Sequence, residues 1–205
     1  MKNENKKFST LNMVEMAVLI AIIIIMGTTP LGTIRTPFLS VSLVTIPVAI
    51  GAIIIGPVGG LICGLGFGLT SLYNALIGAS GMMSALMAVS PFGAVFTILV
   101  PRMLEGVLTA YIFILFKKLL KSGKPAYFIG AIACPLLNTL FFMSCIVLFF
   151  YNSDYVQGLV EKLGVSNPVS FIIALVGIQG LIEAVSCCIL AGVISLALAK
   201  TLNRR

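Results

Sequence analysis

Apolar residues run through this chain in long blocks, without the alternation of a half-buried strand, and glycines, prolines and charges gather between the blocks. The first block starts at Met13, behind a polar, basic stretch with Lys2, Lys6 and Lys7, and reaches Thr29. Pro30, Gly32, Thr33, Arg35 and Pro37 break it into a loop, and a second block occupies residues 40–55 with Pro47 inside it. Gly56, Pro57, Gly59 and Gly60 turn the chain tightly into a third block ending near Gly78. Residues 79–90, rich in Ser, Gly and Met and uncharged, read as a loop or a segment dipping into a membrane, before a fourth block that runs to Lys118. The fifth covers 126–150, a polar loop at 151–167 holds Asp154, Glu161 and Lys162, and the sixth runs from Pro168 to about Leu198. A bilayer core about 30 Å thick takes about 20 apolar residues per helix. The pattern therefore predicts an all-α integral membrane protein of six transmembrane helices, one domain over residues 1–205 with tails at 1–12 and 200–205.

Composition narrows this further. With 60% hydrophobic and 9% charged residues among 205, and a mean hydropathy of +1.17, a water-soluble fold is excluded. The chain has no His, which removes imidazole metal sites, Ser-His catalysis and histidine proton relays. Cys63, Cys134, Cys145, Cys187 and Cys188 lie inside apolar runs without CxxC spacing and read as small packing residues. The net charge of +7 forms no continuous stripe for nucleic acid. Ten of the thirteen Lys and Arg instead fall on one side of the expected membrane: three before the first span, four after the fourth (Lys117, Lys118, Lys121, Lys124) and three at the C-terminus. The positive-inside rule makes that side cytoplasmic, and six crossings return the chain to it, so both termini are expected there.

Two kinds of residue inside the spans stand out. Small residues repeat at four-residue intervals: Ala17 and Ala21 in the first span, Gly56, Gly60, Gly64 and Gly68 in the third, and Gly180, Ala184, Cys188 and Gly192 in the sixth. Each row makes a smooth ridge for another helix, internal in the third and sixth spans; in the first, a partner's surface is the equal alternative. Polar side chains at membrane depth are costly unless they pair or line a cavity, which singles out Asn74, Arg102, Glu105, Asn138, Gln179 and Glu183. Thr70, Ser71 and Asn74 share part of one face near the outer end of the third span. Arg102 follows Pro101 about 16 Å into the fourth by helical rise, a depth suited to an anion. Gln179 and Glu183 stand one turn apart, and Asn138 lies at mid-span after Pro135. Two readings stay open: Arg102 pairs with Glu105 or Glu183 and the amides fasten helices, or Asn74, Arg102, Asn138 and Gln179 line one outward-opening cavity.

The six-span pattern with Ala17-x-x-x-Ala21 resembles the substrate-binding S components of energy-coupling factor (ECF) vitamin transporters. Within them, Ile46-Pro-Val-Ala-Ile-Gly-Ala-Ile-Ile-Ile-Gly-Pro57, Phe67-Gly-Leu-Thr-Ser-Leu-Tyr-Asn74, Pro101-Arg-Met-Leu-Glu-Gly106 and Leu137-Asn-Thr139 are similar to the pantothenate-type (PanT) group. The resemblance implies a high-affinity vitamin-binding subunit in a bacterial cell membrane that hydrolyses nothing and needs no cofactor. It also implies partners: the transmembrane coupling protein EcfT, met by Ala17 and Ala21, and two cytoplasmic ATPases, EcfA and EcfA′. The absence of a G-x-x-x-x-G-K-[ST] motif agrees that energy comes from elsewhere.

The expected ligand set is Thr70, Ser71, Asn74, Arg102, Asn138, Gln179 and Glu183. Pantothenate carries a carboxylate, an amide and two hydroxyls, which one cation and several neutral hydrogen-bonding groups suit. Glu105 and Glu183 pull the other way, toward a neutral or cationic ligand, so pyridoxine or a thiamin precursor is the nearest competitor, with riboflavin and cobalamin behind. The absence of Trp disfavours stacking of a large flat ligand. A channel or autonomous secondary transporter would place polar residues along a whole path, and an intramembrane enzyme would need a nucleophile beside a base; the sequence supplies neither pattern.

Overall fold

The computed structural model describes residues 10–35, 40–120 and 123–202. Helix α1 (Thr10–Thr28) is followed by a single 3-10 turn at Pro30–Gly32 and a small antiparallel hairpin, β1 (Thr33–Arg35) with β2 (Ser40–Ser42), in which Ile34 lies opposite Val41. Then come α2 (Thr45–Ile54), α3 (Pro57–Leu76), α4 (Gly81–Val89), α5 (Pro91–Leu119), α6 (Lys124–Phe150), α7 (Asp154–Leu163) and α8 (Pro168–Thr201). Local chemistry sets several of the starts. Pro57, Pro91 and Pro168 occupy first-turn positions that need no donor, and the side chains of Ser90, Ser153 and Asn167 accept backbone N–H bonds as N-caps. Gly56 takes φ +97°, a conformation that side-chain-bearing residues rarely adopt, and so turns α2 directly into α3.

Five of these helices, α1, α3, α5, α6 and α8, are long and apolar enough to cross a membrane. The second apolar block forms a shorter element than the sequence pattern predicts. Helix α2 has 10 residues, about 15 Å of rise against a core of about 30 Å, and every residue from Thr45 to Ile53 is buried. Two expected loops also contain helices. Within 79–90, α4 buries Met83 and Leu86, and Ser84 Oγ donates to the Ala75 carbonyl at 2.7 Å. Within 151–167, α7 buries Val156 and Val160 and exposes its charged face.

Glycine rows bring the long helices together. A Cβ added to Gly60 would strike the Gly106 carbonyl, one at Gly64 would strike that of Arg102, and one at Gly68 would press on Leu99, so α3 and α5 run antiparallel in near-backbone contact. On α8, Gly192 makes room for the Phe128 ring of α6, and Gly180 passes Thr139. The internal-packing reading of both rows therefore holds. Helix α1 runs parallel to α3, with Ile23 near Gly66 and Gly27 against Thr70. The β1–β2 hairpin, α4 and α7 all connect helices at one end of this bundle; the Gly56 turn and the α5–α6 connection lie at the other. The core divides the same way, one cluster around Ile23, Val48, Phe113, Tyr127 and Cys187, the other around Leu86, Ile98, Met143, Ile146 and Phe171.

Candidate ligand-binding site

Pro101 has no N–H, so α5 loses one backbone bond just before Arg102. The Arg102 side chain folds back toward the start of its helix, where Nη1 donates to the Ile98 carbonyl at 2.8 Å. Its guanidinium lies 4.7 Å from the centroid of Phe67 on α3 and 5.1 Å from that of Phe142 on α6. Two aromatic faces thus hold the cation where water is scarce, an arrangement that suits a planar guanidinium better than an ammonium. Only 8% of Arg102 is exposed, and among the described residues Nε has no hydrogen-bond partner.

Carboxylates surround this cation without neutralising it by contact. Glu105, one turn deeper, is fully buried and neither of its oxygens is hydrogen-bonded. Glu183 on α8 accepts from the Ser42 backbone N–H at 2.6 Å and from Gln179 Nε2 at 3.1 Å. Both acids lie within electrostatic range of Arg102, yet among the described residues no ion pair joins it to either. The Arg–Glu pairing open from the sequence is not formed. Glu183 is instead the anchor of the hairpin, tying the end of β2 to α8.

Asn138 on α6 lies one turn from Phe142 on the same face, and its Oδ1 is buried with no hydrogen-bond partner. The contact of Gly180 with Thr139 brings α6 and α8 alongside at this level, and Gln179 reaches this region through its hydrogen bond to Glu183, which lies within electrostatic range of Arg102. Ser71 follows Phe67 by one turn on the inward row of α3 and is half-buried. The remaining two expected ligands face elsewhere. Asn74 Nδ2 donates to the Gly27 carbonyl at 2.7 Å, and Thr70, hydrogen-bonded to the Phe67 carbonyl, packs on Gly27, so both fasten α1 to α3. Phe142 and the Ser42 backbone were not anticipated. The i, i+4 spacing to Asn138 was a usable signal for the first; the second depends on a contact across 141 residues.

A second expected surface lies on α1, where Ala17 and Ala21 are exposed among exposed Val14, Val18, Ile22 and Ile25, while only Leu19, Ile23 and Gly27 are buried. An apolar bundle with five helices long enough to span a bilayer defines a multi-pass membrane protein, and the buried cation and orphaned polar atoms in its interior make up its candidate site. Residues 11–195 match the family described as ECF transporter, substrate-specific component, and the chain belongs to that family. Its members are substrate-binding, non-catalytic subunits that work with the other components of an ECF module on a small-molecule substrate of the vitamin type. No curated protein matches the sequence.

Proposed function

We propose that this chain captures a small carboxylated vitamin, pantothenate first among them, and presents it to an ECF module. The observation that carries this reading is Arg102, buried between Phe67 and Phe142 with an unpartnered Nε. A carboxylate bound there would gain a charge-assisted contact in a desolvated setting, where such bonds are strongest. Asn138 Oδ1 accepts a ligand N–H or O–H, Glu105 accepts from a hydroxyl, and Gln179, Glu183 and Ser71 complete the set. Thr70 and Asn74, expected from the sequence as ligands, stay outside this set in the seam between α1 and α3.

In this reading the chain crosses a bacterial plasma membrane six times, with α2 as the short pass, and keeps both termini and the Lys-rich end in the cytoplasm. The smooth Ala17–Ala21 strip supports docking of the coupling protein EcfT, with ATP hydrolysis left to EcfA and EcfA′. Glu105 and Glu183 favour one rival, a neutral or cationic vitamin such as pyridoxine or a thiamin precursor.

Calorimetric titration of the detergent-solubilised protein separates them. One-to-one binding of pantothenate, without pyridoxine, thiamin or riboflavin, is the expected result. Tight binding of a neutral or cationic vitamin in its place moves the recognition role to the two glutamates, and binding of none rejects the capture reading.

A further inference from the structure

At the end of the bundle opposite the hairpin, about 22 Å further along α5 than Arg102 by helical rise, three lysines from three helices surround one cavity. Lys117 comes from the last turn of α5, Lys124 from the first turn of α6 and Lys200 from the last turn of α8. The cavity is about 360 Å³, and Tyr127, Gly123 and Leu196 complete most of its wall. The Lys117 ammonium lies 5.5 Å from the ring centroid of Phe113 and 5.9 Å from that of Tyr127, which places it at the inner wall. A second cavity of about 340 Å³ shares Lys117, Tyr127 and Ala199 with the first, and its other lining residues carry apolar side chains, among them Ile53, Ile54, Phe113 and Ile114. No described residue lining either cavity is acidic.

We infer that Lys117, Lys124 and Lys200 bind the phosphate of an anionic membrane lipid, with the apolar neighbouring cavity taking the start of its acyl chain. The two halves of the site match the two halves of such a molecule. Cation and apolar wall meet at the ends of spanning helices, the depth at which a lipid headgroup joins its chains. A soluble phosphate would use the lysines but leave the apolar cavity without a function. A basic surface kept only for membrane orientation needs no cavity at all.

The test uses the full chain in a neutral detergent, titrated with phosphatidylglycerol and, separately, phosphatidylcholine, and read by native mass spectrometry and by amine-reactive labelling of each lysine. Phosphatidylglycerol is expected to remain bound and to protect Lys117, Lys124 and Lys200 together, while phosphatidylcholine does neither. The triple change Lys117→Gln, Lys124→Gln, Lys200→Gln is expected to weaken phosphatidylglycerol binding about a hundredfold, whereas Lys162→Gln on α7 leaves it unchanged. Vitamin titration of the same variants reports folding at the other end and is expected to be unaltered, so failure of one site is distinguishable from failure of the other. Should the triple variant not fold, protection in the unmodified protein still decides. Equal retention of phosphatidylcholine, or displacement of the lipid by inorganic phosphate, overturns the lipid assignment. Protection on adding the coupling module but not on adding lipid overturns it in favour of a protein occupant.

Discussion

Polar side chains lie at depth in two regions of this bundle, and they are treated in opposite ways. In the seam between α1 and α3, Asn74 donates to the Gly27 carbonyl and Thr70 bonds within its own helix. In the centre formed by α3, α5, α6 and α8, Arg102 Nε, Asn138 Oδ1 and both Glu105 oxygens have no partner. A hydrogen bond between membrane helices stabilises modestly, whereas a buried polar group left unpaired costs several times as much. The seam is finished as it stands; under the proposed capture role, a ligand would bring the centre its missing partners. Residue type alone does not separate the two, since both regions use amides and hydroxyls.

Substitutions in the two regions should therefore differ in kind. The largest effect on the isolated protein is expected from Arg102→Ala, which should weaken vitamin binding at least about a hundredfold, about 3 kcal/mol, in a chain that still melts cooperatively. Arg102→Lys should recover little, because a compact ammonium is a poorer match than a flat guanidinium for the rings of Phe67 and Phe142. Unchanged affinity in a folded Arg102→Ala protein would make the centre structural and erase the contrast.

A smaller loss, about tenfold, is expected for Glu183→Ala, accompanied by faster hydrogen exchange at the Ser42 amide that Glu183 now holds. Slow exchange at that amide in the variant would show that the hairpin is placed without Glu183. Asn74→Ala should reverse the profile, costing about 1 kcal/mol in thermal unfolding while vitamin affinity stays within about twofold. An affinity loss there would move the seam into the binding site. The smallest effect on the isolated chain belongs to Ala21→Leu, expected to leave both melting and vitamin affinity unchanged because Ala21 is exposed. Reconstituted with its module, the same variant should lose uptake, since the added bulk spoils close approach of a partner helix. Normal uptake would reassign the α1 strip to lipid.

The long helices were legible because an apolar block bounded by Pro, Gly or charge leaves a spanning segment few alternatives, and α5, α6 and α8 begin and end within a few residues of the pattern. The helical form of α4, in a segment that reads as a loop or a dip into the membrane, and of α7, in one that reads as a polar loop, is not evident from the pattern. Their apolar contacts come from pairs, Met83 with Leu86 and Val156 with Val160, at helical spacing in segments too short for periodicity to dominate. The Ser153 cap and the left-handed Gly164 that closes α7 were the signals available.

Of the candidate binding centre, the sequence determined the inventory: one arginine, two glutamates and a few amides in a chain otherwise too apolar to tolerate them, because any ionisable group at membrane depth must have a reason to be there. It also determined which rows of glycine and alanine could let helices approach. Tertiary structure decided which polar groups were satisfied. Gly27 offers its carbonyl to Asn74, the Ser42 amide reaches Glu183 across the hairpin, and no described acid comes close enough to pair with Arg102. Hydrogen bonding acts over about 3 Å, so partners remote in the chain become visible only once the helices are packed.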